Sequence, residues 1–380
     1  MQSAELVVIG SGIVGLAHAW AAARLGKRVL VVERDERANG ASIRNFGFVT
    51  VTGQQAGAVW SRARRSRDLW AAMVGDAGIA VEQRGLLLAY RRPESAAVVE
   101  AFLRTPAGAG CEHLDPAGAR AASPGLASAN MLGALHSPHE LRVDSRLAIP
   151  ALRAWLETRW GVRFVTGVAA LEVAPPVVTT SRGVIEADKV VVCPGDDLVS
   201  LFPEAIAAHG VTRCRLSMLR LADPGLRLPS VVMSDLGLAR YLGYAELPEA
   251  AALKAVLQAE QGGALAHGVH LIVAQGADGS LVVGDSHHYA ATPDPFAVGE
   301  TEALILAEFE AALGFAPPPV VERWTGTYSS VPDLAMFAAA PAPDVRLVMV
   351  TSGTGASTAF AIAEEVIGEL YQTPLGDTGL

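Results

Sequence analysis

Three glycines near the N-terminus have the spacing that a phosphate-binding turn requires. Gly10, Gly12 and Gly15 lie in the hexapeptide GSGIVG. In such a turn the first glycine permits the sharp bend, the second lets backbone approach a pyrophosphate, and the third lets a helix pack on a strand. Glu33 follows at a distance suited to accepting hydrogen bonds from a ribose 2′-hydroxyl. These residues predict a dinucleotide site.

The flanking segments predict the elements that position this turn. Residues 5–9 are typical of a buried parallel strand, residues 16–25 of an Ala-rich helix, and residues 28–32 of a second strand that ends at Glu33. The helix N-terminus supplies the positive end of a dipole to a phosphate. Because every part falls in the required order, the pattern favours a dinucleotide over a ligand-free glycine turn. The acidic residue disfavours a 2′-phosphate, which leaves NAD and FAD open.

Composition and charge exclude several classes of protein. The chain has 380 residues, of which 51% are hydrophobic and 18% charged, and this predicts two globular domains with buried cores. A net charge of -9 argues against nucleic acid as a partner, because phosphate backbones attract surplus cations. No export signal and no apolar run long enough for a membrane span are evident, so we expect a soluble, cytoplasmic protein.

The cysteines do not indicate a metal centre. Cys111, Cys193 and Cys214 lie far apart and lack the paired spacing of zinc ligands. We expect reduced, structural thiols and predict no metal.

Four segments resemble the D-amino-acid oxidase and glycine oxidase family of FAD-dependent enzymes. Residues 39–47, NGASIRNFG, match the pattern G-A-S-x-R-N-x-G of the loop that this family places over its flavin. Residues 143–168, 189–196 and 346–370 are similar to its second adenine-side unit, its strand and glycine turn under the dinucleotide, and its closing strand, loop and helix. Within the family, residues 40–57 resemble a branch associated with aminophosphonate catabolism.

The resemblance implies an α/β fold with two domains. One is a discontinuous Rossmann-like FAD-binding domain of the glutathione-reductase type, formed by residues 1–50, 141–215 and 323–380. The other is an α+β substrate-binding domain, formed by residues 51–140 and 216–322, whose antiparallel sheet and helices cap the flavin. The cofactor-binding residues that the turn and the resemblance together imply are Gly10, Gly12, Ile13, Val14, Gly15, Glu33, Arg34, Ala41, Ser42, Arg44, Asn45, Phe46, Gly47, Val168, Pro194, Gly195, Gly326, Ser352, Gly353, Thr354, Gly355, Ala356 and Ser357.

The segment 323–333 resembles the family's substrate and flavin loop but departs from it twice. Gly326 stands where branches with a covalent flavin have cysteine, so we expect FAD to be noncovalent. Thr327 and Tyr328 stand where amino-acid oxidases have a carboxylate-binding arginine, so the usual two-pronged clamp for an α-carboxylate is missing. A substrate anion would then be held by other arginines, for which the candidates are Arg44, Arg84, Arg220, Arg240 and Arg323.

Several side chains are candidates for the chemistry itself. His287 or His288, in the run DSHHY after an apolar strand, could deprotonate a substrate ammonium, because imidazole titrates near neutral pH. A turn histidine bonded to Asp285 is the structural alternative. The candidates for direct action are His287, Tyr328, Trp324 and Arg44.

The expected reaction is oxidation of a small primary or secondary amine by hydride transfer to flavin N5, which gives an imine that hydrolyses to a carbonyl and an amine. The missing arginine favours an anionic substrate such as an aminophosphonate. Residues 281–283 contain no lysine of the kind that sarcosine-oxidase relatives use to promote reaction with oxygen, so the acceptor is oxygen or another compound. The alternatives are an oxidase or dehydrogenase of glycine, sarcosine or a D-amino acid, an NAD-dependent dehydrogenase, and a flavin-binding partner protein without turnover.

Overall fold

A computed structural model describes residues 2–374. Residues 375–380 of the expected third FAD-binding segment lie outside the described residues. The strands are β1 Gln2–Ile9, β2 Val29–Glu33, β3 Phe48–Val49, β4 Val81–Tyr90, β5 Glu112–Leu114, β6 Gly133–Val143, β7 Arg163–Thr166, β8 Ala170–Ala174, β9 Val177–Thr180, β10 Gly183–Val192, β11 Thr212–Leu221, β12 Val231–Ser234, β13 Ile272–Gln275, β14 Leu281–Gly284, β15 His288–Ala290, β16 Val320–Ser330, β17 Met336–Ala342 and β18 Val345–Val350.

Eleven α-helices lie between the strands or after the last strand of the described residues. They are α1 Ile13–Arg24, α2 Ala58–Met73, α3 Pro93–Leu103, α4 Pro116–Ala122, α5 Ser145–Trp160, α6 Pro203–Ala207, α7 Leu236–Arg240, α8 Leu242–Ala245, α9 Ala250–Ala266, α10 Gly299–Leu313 and α11 Gly355–Leu370. None of the helices within residues 2–374 combines the length and apolarity needed to cross a membrane.

A mainly parallel sheet carries the N-terminal glycine turn. Its order is β17-β18-β10-β1-β2-β7, and every neighbouring pair from β18 to β7 is parallel. Apolar side chains of β1 and β2 are buried, as a parallel sheet covered on both faces requires. The helices α1, α2, α5 and α11 share one apolar core with it. The mixed α/β fold expected from the sequence is confirmed.

A second, mostly antiparallel sheet lies beside the first. Its order is β15-β11-β14-β13-β12-β4-β6-β3, with β16 paired to β11 and β5 paired to β6. The pair β4–β12 is parallel, whereas the other neighbouring pairs are antiparallel. Helices α3, α7, α8, α9 and α10 contribute to the apolar core of this sheet.

Several expected domain boundaries fall inside strands of the second sheet. The boundary at residue 141 cuts β6, the boundary at 216 cuts β11, and the boundary at 323 cuts β16. Both β11 and β16 pair along nearly their whole length, so residues on either side of these boundaries share one ladder. The division into two domains with those limits therefore remains a prediction, while the ladder itself assigns each whole strand to the second sheet.

A buried ion cluster ties the second sheet to its helices. The carboxylate of Asp235 is fully buried and accepts hydrogen bonds from Arg92 Nη1 at 2.8 and 2.9 Å and from Ser95 Oγ at 3.1 Å. Removing one partner from such a cluster leaves an uncompensated buried charge, which destabilises far more than loss of a surface pair.

We expect Asp235→Ala to lower the free energy of unfolding by about 3–5 kcal/mol, because Arg92 would stay buried with only the exposed Glu260 as a charged partner. Chemical denaturation followed by circular dichroism measures this change. The matched control is Asp344→Ala, which removes the half-exposed ion pair with Lys189 and should lower the free energy of unfolding by less than about 1 kcal/mol. Equal effects of the two substitutions would contradict the account of the cluster.

Candidate functional site

A long cavity runs between the glycine turn of the first sheet and the second sheet. Its volume is about 610 Å³, and both sheets contribute to its walls. At one end lie the turn after β1 and the end of β2, and at the other lie side chains that precede β13 and follow β14. A cavity of this size, with mostly uncharged walls and a limited number of charged side chains, is typical of a small-molecule or cofactor site.

The glycine turn is packed so closely that side chains are excluded from it. A Cβ atom on Gly15 would lie 1.9 Å from the carbonyl oxygen of Gly10, and one on Gly10 would lie 2.4 Å from the carbonyl oxygen of Cys193. Gly10 also has a φ of +101°, which residues with side chains rarely adopt. Helix α1 starts after Gly12, which has no side chain to cap it, and Ser42 Oγ accepts a hydrogen bond from Ile13 N alone, so the other amide groups of the first turn remain for a ligand. This geometry fits a pyrophosphate.

Glu33 ends β2 beside this turn. Its Oε2 accepts hydrogen bonds from Ser11 N at 2.8 Å and Ser11 Oγ at 2.7 Å, and its Oε1 accepts one from Asp35 N at 3.1 Å. The carboxylate is therefore held in one orientation at the cavity wall, where its remaining lone pairs could accept ribose hydroxyls.

The loop at residues 41–47 closes over the start of α1. Ser42 Oγ accepts a hydrogen bond from Ile13 N at 2.9 Å. Gly326 lets β16 approach this loop, since a Cβ there would lie 3.0 Å from the carbonyl oxygen of Arg44. Trp324 Nε1 donates to that same carbonyl at 3.1 Å, which fixes the backbone of the loop.

The segment after β18 forms the opposite wall. Residues 352–357 line the cavity, and α11 begins within them with no side-chain cap. The ring of Tyr328 lies against Gly353, where a Cβ would be 3.2 Å from its Cζ. A helix N-terminus and a flexible glycine loop at this point suit negative charge on a bound ring system.

The structure gathers nearly all of the sequence-predicted site residues around this cavity. Among the predicted cofactor residues, the one that does not line it is Gly47. Its role is in packing, because a Cβ there would lie 1.7 Å from the carbonyl oxygen of Val143. His287, Tyr328 and Arg44 line the cavity, whereas Trp324 and His288 do not. The expectation that Trp324 acts directly on substrate is thus not supported, since its indole lies behind Arg44 with the Arg146 guanidinium 4.8 Å from its ring centre.

The candidate arginines separate into two groups. Arg323 pairs with Glu302 at 2.6 Å, Arg220 lies within 4.0 Å of three carboxylates, and Arg84 is exposed, and none of these three lines the cavity. Arg44 and Arg240 do line it, and neither has an ion-pair partner within the described residues 2–374. Arg240 Nη2 donates to the hydroxyl of Tyr289 at 3.1 Å.

A buried cluster of His270, Asp285 and His287 lies beside Arg240. One ligand atom from each lies within 4.8 Å of the others, an arrangement that could hold a metal ion. His287 Nδ1 bonds the carbonyl oxygen of Gly268 at 2.9 Å. Burial, followed by the nearby Arg240 charge, lowers the pKa of both histidines well below its usual value. The feature that opposes a metal ion there is the positive charge of Arg240 itself. The absence of a metal remains a prediction.

Sequence reasoning missed several cavity residues. His270 and Tyr241 line the cavity but belong to no motif, and their separation along the chain gives no signal of their proximity. Gln54 also lines the cavity and lies within the family-like segment 40–57, but it was not among the predicted site residues. Asp285 and Tyr289 belong to the DSHHY run, in which the histidines were the candidates for chemistry and Asp285 was considered only as a hydrogen-bond partner of a histidine. The pairing of β13 with β14 is what brings His270 to Asp285.

A family model of FAD-dependent oxidoreductases, DAO, matches residues 5–368. The chain belongs to this family. The expectations of FAD as cofactor and of an FAD-dependent oxidoreductase are thereby confirmed. A D-amino acid dehydrogenase from Helicobacter pylori strain ATCC 700392 / 26695 is 48% identical over 46 residues, which cover 12% of this chain and 11% of that relative.

Solved structures of the same fold cover nearly the whole chain. Glycine oxidase from Geobacillus kaustophilus has a TM-score of 0.77 at 16% identity and covers 98% of this chain and 96% of its own. L-proline dehydrogenase from P.horikoshii also has a TM-score of 0.77, at 18% identity, and covers 98% of this chain and 94% of its own. At these identities the likeness supports the fold.

We expect Gly10→Ala to weaken FAD binding by about 100-fold or more, because the new Cβ would clash with the Cys193 carbonyl oxygen and shift the turn. Quenching of flavin fluorescence on titration of apoprotein measures the affinity. Gly26→Ala is the matched control, since Gly26 also has positive φ but has open space around its Cβ position. Comparable losses in both variants would count against a close contact between the turn and the cofactor.

Proposed function

We propose that this protein binds FAD noncovalently and oxidises a small primary or secondary amine that carries an anionic group. The observation that carries this proposal is Arg240, a cavity-lining cation without an ion-pair partner among residues 2–374. A partly buried guanidinium with no carboxylate within ion-pair distance is suited to an anion supplied by a ligand.

The cofactor's position follows from the two ends of the cavity. The turn at residues 10–15 and Glu33 would hold the diphosphate and a ribose, and the loops at 41–46 and 352–357 would hold the ring system. Gly326, in place of a cysteine, offers no atom for a covalent link. When bound, the flavin accepts a hydride at N5 and so supplies the oxidising power for the reaction.

The substrate would lie between this ring and the second sheet. Tyr328 contacts Gly353 of the flavin loop on one side, and Arg240 and Tyr289 provide donors further along the same cavity. An anion on Arg240 and Tyr289 would orient the amine-bearing carbon toward the ring. The product imine would then hydrolyse in water to a carbonyl compound and an amine.

Aminophosphonates and their N-alkyl derivatives are the substrates we favour. Thr327 and Tyr328 replace the usual carboxylate-binding arginine, and Arg240, at the end of α7, would supply a guanidinium from a different segment of the chain. The second candidate is a glycine, sarcosine or D-amino-acid oxidase or dehydrogenase. It is favoured by the names of the similar proteins, which act on glycine, proline and D-amino acids.

The electron acceptor is proposed to be oxygen or another small molecule. The three lysines, Lys27, Lys189 and Lys254, contact Glu5, Asp344 and the carbonyl oxygen of Ala245, and none lines the cavity. A lysine that promotes reaction of reduced flavin with oxygen is therefore missing from this site, which supports slow use of oxygen.

The function is tested by mixing the FAD-loaded protein anaerobically with aminophosphonates, N-methyl amines and amino acids, and recording the flavin absorbance. Bleaching by anionic amines, with aminophosphonates fastest, is the expected result. Bleaching only by amino acids would favour the second candidate. Failure of every amine to bleach the flavin would reject both candidates in favour of a flavin-binding protein without turnover.

We expect Arg240→Gln to weaken binding of anionic amines by about 100-fold while uncharged amines lose little, because the lost guanidinium is the partner of the anion. The dissociation constant comes from the dependence of the flavin reduction rate on amine concentration. Arg323→Gln is the matched control, since that arginine is exposed and paired with Glu302 outside the cavity. Equal losses for charged and uncharged amines would argue against an anion site at Arg240.

A further inference from the structure

We infer that the Asp285 carboxylate holds the substrate's ammonium group and takes a proton from it before the amine is oxidised. This inference rests on the proposed function, since it needs an amine substrate in the cavity. It assigns the proton acceptor to a carboxylate rather than to the histidines that follow it in the chain.

Asp285 is a buried carboxylate without a charged partner. It is 4% exposed, lines the cavity, and its Oδ1 accepts no hydrogen bond from the described part of the chain. No arginine or lysine nitrogen of residues 2–374 lies within 4.0 Å of it. Burying such a group is unfavourable unless it is paired or hydrogen-bonded, so a ligand cation would satisfy it.

The backbone fixes this carboxylate beside an imidazole. Asp285 N donates to His270 O at 3.0 Å, and His270 N donates to Asp285 O at 3.2 Å, which extends the β13–β14 ladder by one pair. His270 Nδ1 consequently lies 3.0 Å from Asp285 Oδ1, though not aligned for a hydrogen bond. The His287 Nδ1 lies 3.8 Å from the same oxygen and is directed to the carbonyl oxygen of Gly268.

These imidazoles do not neutralise the carboxylate. Burial, with the Arg240 charge second, lowers the pKa of His270 and of His287 well below its usual value, so both rings are neutral near pH 7. The same burial raises the pKa of Asp285 to about 7, and the Arg240 charge limits the rise. A carboxylate with that pKa is ionised above neutral pH and can still take up a proton.

Titratable and charged groups on several neighbouring elements surround Asp285. Arg240 and Tyr241 face it from the α7–α8 junction, Cys214 interacts with it from β11, and Tyr328 and Tyr289 lie on β16 and β15. His288 adds a weaker interaction with His287, and burial lowers the pKa of His288.

Arg240 is the one permanent cation among these groups. The cavity wall therefore offers one cation and one carboxylate, which match the anion and the ammonium of a zwitterionic amine.

The proton step is balanced within the complex. The ammonium N–H bond breaks, its electron pair stays on nitrogen, and the proton forms an O–H bond on Asp285. The neutral amine can then form a C=N bond as a hydride leaves the adjacent carbon with two electrons to the flavin. Asp285 returns its proton to solvent after the product departs.

The pH dependence of flavin reduction tests the inference. In the native protein, the reduction rate constant divided by the amine dissociation constant should rise with pH around 7, since Asp285 must be ionised. In Asp285→Asn the complex must form from the free neutral amine, whose pKa is about 10, so the rise should move up by about three pH units. Reduction at pH 7 should fall by more than about 100-fold and recover at high pH.

Asp278→Asn is the matched control. Asp278 lies on the turn between β13 and β14, exposed and bonded to Ser280, outside the cavity. Its profile should equal that of the native protein. An unshifted rise in Asp285→Asn, or a loss that high pH does not recover, would overturn the role of Asp285. Native protein that no amine reduces would instead reject the proposed function.

A second measurement needs no turnover and no variant. Calorimetric titration at pH 8 uses an anionic amine whose carbon next to nitrogen carries no hydrogen, in buffers of different ionisation enthalpy. Binding of the ammonium to ionised Asp285 should release no net proton at pH 8 and about one at pH 6, because Asp285 is protonated at the lower pH before binding. Release of one proton at pH 8 would overturn the inference.

The alternative, that His270, Asp285 and His287 hold a metal ion, is tested on the same protein. Metal analysis of the purified FAD-loaded protein should find no stoichiometric divalent ion, and treatment with a chelator should leave the reduction rate unchanged. One bound divalent ion per chain, removed together with the activity, would assign Asp285 and the histidines to a metal and overturn the proton-acceptor role.

Discussion

The close approach of backbone to backbone at the first glycine turn is the constraint on which the rest of this structure depends. The turn brings β1, α1 and β10 together at distances that leave no space for a Cβ atom on Gly10 or Gly15. Because no side chains intervene, amide groups at the start of α1 are available to a ligand's phosphates. The parallel order of β10, β1 and β2 then places Glu33 and the turn after Val192 on either side of the same point.

The second sheet completes the cavity with very little charge. Its polar side chains at the end of the cavity away from Glu33 include tyrosines, neutral histidines, one arginine and one carboxylate. In such a poorly solvated wall a single fixed charge has a large effect on what binds and on which protonation state binds. Such a wall would allow a site without an arginine after Gly326 to select a charged amine, as we propose.

Some residues of the family-like segments position the flavin loop and do not line the cavity. Trp324 bonds the backbone of Arg44, and Gly47 allows its loop to lie against Val143. Both lie in family-like segments and within two residues of a cavity residue in sequence, which is why sequence reasoning placed them in the site. A pattern records that a residue type is needed at a position, but it does not distinguish a contact with ligand from a contact with the loop that holds the ligand.

The sequence by itself determined the nucleotide-binding half, because that half depends on local features. Glycine spacing, apolar strands and a terminal acid all act over a few tens of residues, and they predicted β1, α1 and β2 to within a few residues. The substrate side was decided only by tertiary structure. Arg240, His270 and Asp285 come from three separate segments, and strand pairing in a mostly antiparallel sheet is what makes them neighbours. Whether a charged side chain is paired, exposed or aimed into a cavity depends on these long-range contacts, and no spacing along the chain encodes it.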